Sequence, residues 1–412
     1  MEQNIKAAIT WLSDSEVLNT GRQRKCYGGV NNGYMWQEKT YQFVYNEITG
    51  YAINAFITMF NWTEDEKYLQ HAKNAADYLL SCQGESNVKE KGAVCHGLSL
   101  PDLSVSRRYY TFDNAVILHG MINLYKITNE RKYSDASLTI GNWLLTMQKE
   151  NGSFCSYYDG EDGTIHHEYD EFFFDNGCLH VKNAIGLMHS KYLLNGDIYF
   201  QAGLQVCDWG KQLLSDSDGL FWANTRKKYV FTHAHCYATE GYLYAYHLSG
   251  DKKYFDIAKK AGDALLPLQN PDGSLFRIYK RKLSMRRWFG EKYRISLQDW
   301  SNERKLPWKT IDATAQAARI WILLYCLTND DSYKIPAQKA IDFLIMNQVL
   351  DTSDPNKYGG LYYQRCDNTR RNETTLSSGM YTWCTQFALS AYMLFVSAQN
   401  KTKFDNLISM LY

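Results

Sequence analysis

Six short polar interruptions in otherwise apolar stretches carry the residues able to do chemistry. They read Val44-Tyr45-Asn46-Glu47-Ile48-Thr49-Gly50-Tyr51, Tyr109-Tyr110-Thr111-Phe112-Asp113-Asn114 and Phe172-Phe173-Phe174-Asp175-Asn176-Gly177 in the first half. The second half contributes Thr232-His233-Ala234-His235-Cys236-Tyr237-Ala238-Thr239-Glu240, Lys309-Thr310-Ile311-Asp312-Ala313-Thr314 and Ser378-Gly379-Met380-Tyr381-Thr382-Trp383. Five of the six supply a carboxylate, and all supply aromatic, hydroxyl or imidazole groups. An Asp or Thr at a helix start is commonly an N-cap, worth about 1 kcal/mol. Taken together, carboxylates flanked by Tyr, Trp and His describe a sugar site, because sugar rings stack on aromatic faces and hydroxyls bond to Asp, Glu and Asn.

Roles divide by neighbourhood. Asp175 follows three phenylalanines, and apolar surroundings raise a carboxyl group toward the range a general acid needs. Asp113, behind Tyr109, Tyr110 and Phe112, is its expected partner, and the separation of the two would decide between retaining and inverting hydrolysis. His233 and His235 form a second catalytic candidate pair. Two positions apart on a helix they diverge by roughly 200°, so one can face a mouth while the other bonds backbone, and Glu240 is placed to orient an imidazole. Glu47 is expected to bind a hydroxyl or act as a base. Tyr45, Tyr110, Trp308 and Trp383 are expected to line sugar subsites, with Asn176, Tyr237 and Asp312 among the substrate-binding groups. No metal or other cofactor is expected: Cys95-His96, Cys384 and His235 have no familiar ligand spacing, and His166-His167-Glu168 reads as a solvated rim.

The elements that must position these groups recur. A turn, a Tyr opening an amphipathic helix, and then Gln, Asn or Asp-Gly appear with Tyr68, Tyr133, Tyr199, Tyr254 and Tyr333, spaced 65, 66, 55 and 79 residues apart. Each helix has an apolar face it cannot bury alone, such as Ala72, Ala75, Ala76, Leu79 and Leu80. Ile5 to Leu18 supplies a sixth, atypical copy. The helices are expected to stop near Gly84, Gly152, Gly219, Gly273 and Gly359, where glycine supplies a positive φ. Short aromatic runs then read as strands or extended loops on one rim. Second helices, poorer in charge, are expected over 44–60, 112–125, 178–194, 234–248, 313–327 and 380–395. Helices apolar nearly all round belong inside. Six alternating pairs make an all-α (α/α)6 toroid of six helical hairpins, with all six polar interruptions converging on one mouth.

The repeat runs from end to end, so residues 1–412 are expected to form one domain, with a long insertion loop at 277–308. The basic run from Arg277 to Arg294 in that insertion reads as a solvated flap, with a clamp for an acidic sugar or phosphate as the sharper alternative. Charge is balanced, 45 basic against 44 acidic residues, which leaves no field for nucleic acid or an anionic membrane. No stretch has the roughly 18 apolar residues of a membrane span. The start is amphipathic with an early acidic residue, unlike a secretory signal, and the ten cysteines lack a CxxC pair. They read as reduced thiols in a cytoplasmic protein.

On these residues the chain resembles the six-hairpin glycosidase superfamily. Phe174-Asp175-Asn176-Gly177 is similar to the catalytic-Asp segment of unsaturated glucuronyl and rhamnogalacturonyl hydrolases, and Asp113 stands where the glucuronyl enzymes carry a second Asp. That resemblance implies a glycoside hydrolase acting on short, uronate-containing oligosaccharides, with Asp175 as acid/base. Thr232-His233-Ala234-His235 and the Asp272-Gly273-Ser274-Leu275-Phe276 rim resemble the N-acylglucosamine 2-epimerases, which implies a sugar epimerase or isomerase using histidine. Polysaccharide lyases share the toroid and use Tyr or His as base, which Tyr110 or Tyr237 would supply. A catalytically silent glycan-binding toroid is the non-enzymatic alternative. In each case the partner is a small oligosaccharide or monosaccharide.

Overall fold

The computed structural model describes residues 1–21, 25–84, 89–167, 176–193, 195–227, 229–281, 295–297, 308–368, 373–400, 402 and 404–412. Among them, charge-poor helices form an inner ring: α2 (Asn46–Thr63), α4 (Thr111–Thr128), α6 (Asn183–His189), α8 (Thr232–Ser249), α10 (Ile311–Thr328) and α12 (Thr382–Gln399). Each packs on the next, and α12 closes on α2. Their apolar character decides their place, since in α10 every residue from Ile311 to Leu324 is buried. Around them lie α1 (Glu2–Asp14), α3 (Glu66–Ser81), α5 (Arg131–Met147), α7 (Asp197–Gly210), α9 (Lys252–Leu265) and α11 (Lys334–Asn347). These bury one stripe each; α3 turns Tyr68, Ala72, Ala75, Ala76 and Leu79 inward. The expected (α/α)6 toroid is therefore the observed fold.

The rim explains how the ring closes. The strand entering each inner helix pairs antiparallel with the rim segment of the next hairpin: Val44 with Leu98, Tyr109 with Tyr158, Val230 with Tyr279, Lys309 with Arg365, and Met380 with Tyr34. An isolated bridge between Gly177 and Asn224 completes the circle at the third hairpin. Below this belt, Gly28, Gly92, Gly152, Gly219, Gly273 and Gly359 adopt positive φ, and the space of each absent Cβ is filled by a carbonyl of the next outer helix. At Gly273 that carbonyl belongs to Lys339, at Gly359 to Ala7. A side chain there would be strained and would push neighbouring hairpins apart.

The recurrent Gln and Tyr reinforce the same joints. Gln148 Nε2 donates to Gly152 O and to Ala202 O of α7, Gln269 Nε2 to Gly273 O and Pro336 O, and Gln348 Nε2 to Gly359 O and Asn4 O. Tyr133, Tyr199, Tyr254 and Tyr333 donate to Asp77, Asn142, Asp208 and Asp263 of the preceding outer helix. The repeated residues are thus hairpin-to-hairpin fasteners.

Three expectations change. The positive-φ glycines sit in rim turns several residues past the outer helices, and the first hairpin uses Gly92 where Gly84 was expected. Left-handed caps instead end the inner helices, at Glu64, Asn129, Gly250 and Asn329. The third inner segment is not one helix over 178–194: a 3-10 turn, Cys178–Lys182, precedes a short α6. Most of the 277–308 insertion lies outside the described residues, apart from its flanks and Ile295–Leu297, which pairs with Tyr279–Arg281. A final short helix, α13 (Phe404–Ile408), and the buried Tyr412 pack against the inner ring, where Tyr412 Oη donates to Gln386 O.

The joint between the last hairpin and α1 is the one that closes the toroid, and Gln348 bridges it with a further bond accepted from Asn4 Nδ2 at 2.8 Å. Gln348→Leu is expected to cost about 2–3 kcal/mol, since each such bond is worth roughly 1 kcal/mol and its partners stay buried. Chemical denaturation reads this against Gln338→Ala on the exposed face of α11, which is expected to fall within about 0.5 kcal/mol of the unaltered chain. Equal midpoints for the two variants would remove the fastener role.

Candidate active site

The inner helices start in a common register. Four residues into the bowl end of each, a side chain accepts the backbone N–H of its own hairpin's rim: Thr49 from Val30, Asn114 from Val94, Thr314 from Leu275 and Thr385 from Leu361. His235 occupies this position in α8, with Nδ1 accepting Phe221 N–H at 3.0 Å and Nε2 donating to Ala261 O at 3.1 Å. Its ring has no exposed surface. Two residues earlier, the same register holds Glu47, Phe112, His233, Asp312 and Trp383.

On one side of the bowl, α2 and α4 bring together two carboxyl groups. Glu47 is 6% exposed and Asp113 has no exposed surface. Asp113 Oδ2 lies 3.1 Å from His96 Nδ1, and Tyr45 Oη donates to Asp113 Oδ1 at 3.4 Å. The imidazole of His96 is 25% exposed and lies against Phe43, Tyr45 and Tyr110. Burial, and then Asp113, push the Glu47 carboxyl up to about 8 against the opposing pull of Tyr45, His96 and Lys182. Burial likewise holds Asp113 well above the ordinary carboxylate range, and it lowers His96 to about 4. Burial thus pushes this half of the site toward uncharged forms, raising both carboxyl groups and lowering the imidazole beside them.

The floor is aromatic over a buried ion cluster. Tyr51 donates to Tyr237 at 3.2 Å, and Phe112 and Phe387 pack on Tyr237. Beneath them Lys182 Nζ lies 4.3 Å from the Tyr237 ring centre and donates to Glu240 Oε2 at 2.8 Å. Arg319 donates to Glu240 Oε1. Burial pushes the Glu240 carboxyl up, but Arg319 and Lys182 outweigh it and hold the group below its ordinary value. Burial draws the Lys182 ammonium down to about 8 against the pull of Glu240.

Across the floor stands His233, 14% exposed. Its Nδ1 is 2.6 Å from Gln316 Oε1 and 3.6 Å from Asp312 Oδ2, while Gln316 Nε2 donates to Glu240 Oε2 at 3.2 Å. Burial lowers the imidazole, opposed by Asp312 and Gln316. Asp312 also accepts from Trp383 Nε1 at 3.2 Å, and Trp383 stacks on Tyr381 at 4.5 Å with Tyr363 against its edge. Arg277, its guanidinium over Phe231 at 5.4 Å, follows in the rim next to Trp308, whose carbonyl accepts Arg277 N–H.

The toroid thus gathers Tyr45, Glu47, Tyr110, Asp113, His233, Tyr237, Asp312 and Trp383 around one bowl, with Trp308 in its rim. Asn176 is half-buried just ahead of the third inner segment, and Asp175 lies outside the described residues. Two expectations are corrected. His235 is a wall residue bonded to backbone through both ring nitrogens, and Glu240 lies beneath the floor, reaching His233 only through Gln316. Sequence reasoning missed His96, Gln316, Lys182 and Arg319. The last two carry a usable signal, a cation inside an otherwise apolar helical run, because Lys and Arg are almost never fully buried unless paired. Among the described residues, Asp159, Asp162 and His166 on the rim have donor atoms close enough to hold a cation, but His166 Nε2 is already bonded to Asp162 and Thr164.

No protein-family model matches the chain, and no curated protein matches it significantly. Solved structures do match in fold. A D-mannose isomerase superposes with a TM-score of 0.70 at 13% identity, covering 96% of this chain and 97% of the other. A cellobiose 2-epimerase from Bacillus thermoamylovorans B4167 gives 0.67 at 11% identity, covering 94% and 98%. An unsaturated glucuronyl hydrolase specific for heparin gives 0.65 at 13% identity, covering 98% of each.

Because Glu47 rises from 4.5 to about 8 on folding, the folded chain holds a proton that the unfolded chain releases between those values. Its contribution to stability is complete below the lower value and is lost as pH rises through the upper one. Glu47→Gln, which cannot ionise, is expected to gain denaturation midpoint relative to the unaltered chain between about pH 5 and about pH 8. A constant difference across that range would mean Glu47 is not held protonated.

Proposed function

We propose that this chain is a carbohydrate-active enzyme that works by proton transfer in the bowl, and that its reaction is hydrolysis of a glycosidic bond in a short saccharide. The observation that carries this reading is the Glu47–Asp113 pair, two buried carboxyl groups beside His96 whose hold on protons burial strengthens. Glu47, the member with surface in the bowl, donates to the leaving oxygen; Asp113, bonded to His96 and Tyr45, cannot be ionised together with it, which keeps a proton within the pair. Asp175, directly ahead of the third inner segment, is the partner that activates water. The wall of Tyr363, Tyr381 and Trp383 suits a sugar face. The fold shared with enzymes described as a hydrolase, an epimerase and an isomerase of sugars supports the substrate class.

A second reading is favoured by His233. Its imidazole is neutral at neutral pH, reaches the bowl and is braced by Gln316 and Asp312. Such a base removes a proton next to a sugar carbonyl, which is epimerisation or isomerisation through an enediol.

Under the first reading, Glu47→Gln and Asp175→Asn each lower kcat by about 100-fold or more with saccharide binding retained. Activity of the unaltered enzyme falls as pH rises past about 8, where Glu47 loses its proton. Wild-type turnover in either variant would end the assignment of that residue. Incubating reducing sugars with the enzyme in deuterated water separates the readings: hydrolysis leaves carbon-bound hydrogens in place, and an enediol exchanges one of them.

A further inference from the structure

We infer that Gln316 is a positioning residue that decides which nitrogen of His233 carries the proton, and that Glu240 sets the direction of Gln316 from beneath the floor. The inference rests on the reading that His233 exchanges protons with a bound sugar, and it adds the device that makes one ring nitrogen the base.

The chain of constraint starts at Glu240, which has no exposed surface. Its Oε1 accepts from Arg319 and its Oε2 from Lys182 at 2.8 Å, so two cations drawn from two other segments of the inner ring hold it as an anion. Gln316, also without exposed surface, puts one end of its amide 3.2 Å from Glu240 Oε2. An amide has one donor end and one acceptor end. Turning it over would set its oxygen against a carboxylate, so the NH2 end must face Glu240. Oε1 is then fixed toward His233 Nδ1, at 2.6 Å. An acceptor at that distance requires a proton on Nδ1, and Asp312 Oδ2, 3.6 Å from the same nitrogen, is an acceptor too. In the uncharged ring the lone pair therefore belongs to Nε2. When Nε2 takes a proton, the positive charge forms beside Asp312 while the Nδ1 bond stays in place. His235 provides the contrast within the same helix: there a backbone N–H points at Nδ1 and a carbonyl at Nε2, which selects the opposite tautomer.

The test uses the full chain labelled with 15N-histidine, with His233 assigned by its loss in His233→Asn. The unaltered protein at neutral pH is expected to show His233 as the Nδ1–H tautomer, a measurement that needs no variant to fold. Gln316→Leu removes the acceptor and is expected to shift His233 toward the Nε2–H form. In turnover of a sugar substrate it is expected to lower kcat by about tenfold or more while KM stays within about twofold. Gln316→Glu restores an acceptor and is expected to keep Nδ1–H while raising the pH at which the ring charges. An Nε2–H or charged His233 in the unaltered protein, or an unchanged tautomer in Gln316→Leu, would overturn the inference. If the tautomers behave as stated but His233→Asn turns over sugar normally, the positioning holds and the catalytic reading of His233 fails.

Discussion

The structure depends on one joint repeated around a circle. At each hairpin boundary a rim glycine, in a conformation side chains avoid, lets a carbonyl of the next outer helix occupy the space of its missing Cβ. A glutamine then ties the two together at several of these boundaries. The rim strands add a second belt above. Neither device is strong singly, at roughly 1 kcal/mol per hydrogen bond. Their effect comes from closure: once α12 meets α2, each inner helix is located from both sides, and its first turn has a defined place at the mouth.

That precision is what the polar floor requires. Three buried carboxyl groups lie close together and are treated in opposite ways. Glu240 has two cations that lower it; Glu47 and Asp113 have no Lys or Arg partner at bonding distance among the described residues, and burial raises them. In a low-dielectric interior an uncompensated charge costs several kcal/mol, so a carboxyl group without a cation remains neutral. Glu47 and Asp113 on one side and His233 on the other are consequently separated by the Tyr51, Tyr237 and Phe387 floor with Lys182 beneath it. The carboxyl groups are chemically alike, and the placement of the cations is what sets them apart.

The repeat also explains which residues misled and which informed. Tyr133, Tyr199, Tyr254 and Tyr333 announce the hairpins because the joint needs the same hydrogen bond each time, a local demand that leaves a local signature. His235 was indistinguishable from His233 along the chain, since both stand at the start of one helix. Only the arrival of Phe221 N–H and Ala261 O, from the rim and from α9, separates their roles. His96 gave no warning because it belongs to a rim segment and meets Asp113 through strand pairing between hairpins. The third inner segment also departs from the repeat, with a 3-10 turn ahead of a short helix.

Helical period, the alternation of amphipathic with all-apolar segments and the spacing of the fasteners are properties of neighbours along the chain. They were sufficient for the toroid and for the end of it that carries polar groups. Protonation and orientation are not such properties. Whether Glu47 keeps its proton, whether Glu240 is an anion and which nitrogen of His233 carries a proton depend on dielectric and on partners 58 to 83 positions away, such as Lys182, Asp113, Arg319 and Gln316. Electrostatic energy is set by distance and solvent exclusion in three dimensions, so those decisions were left to the folded ring.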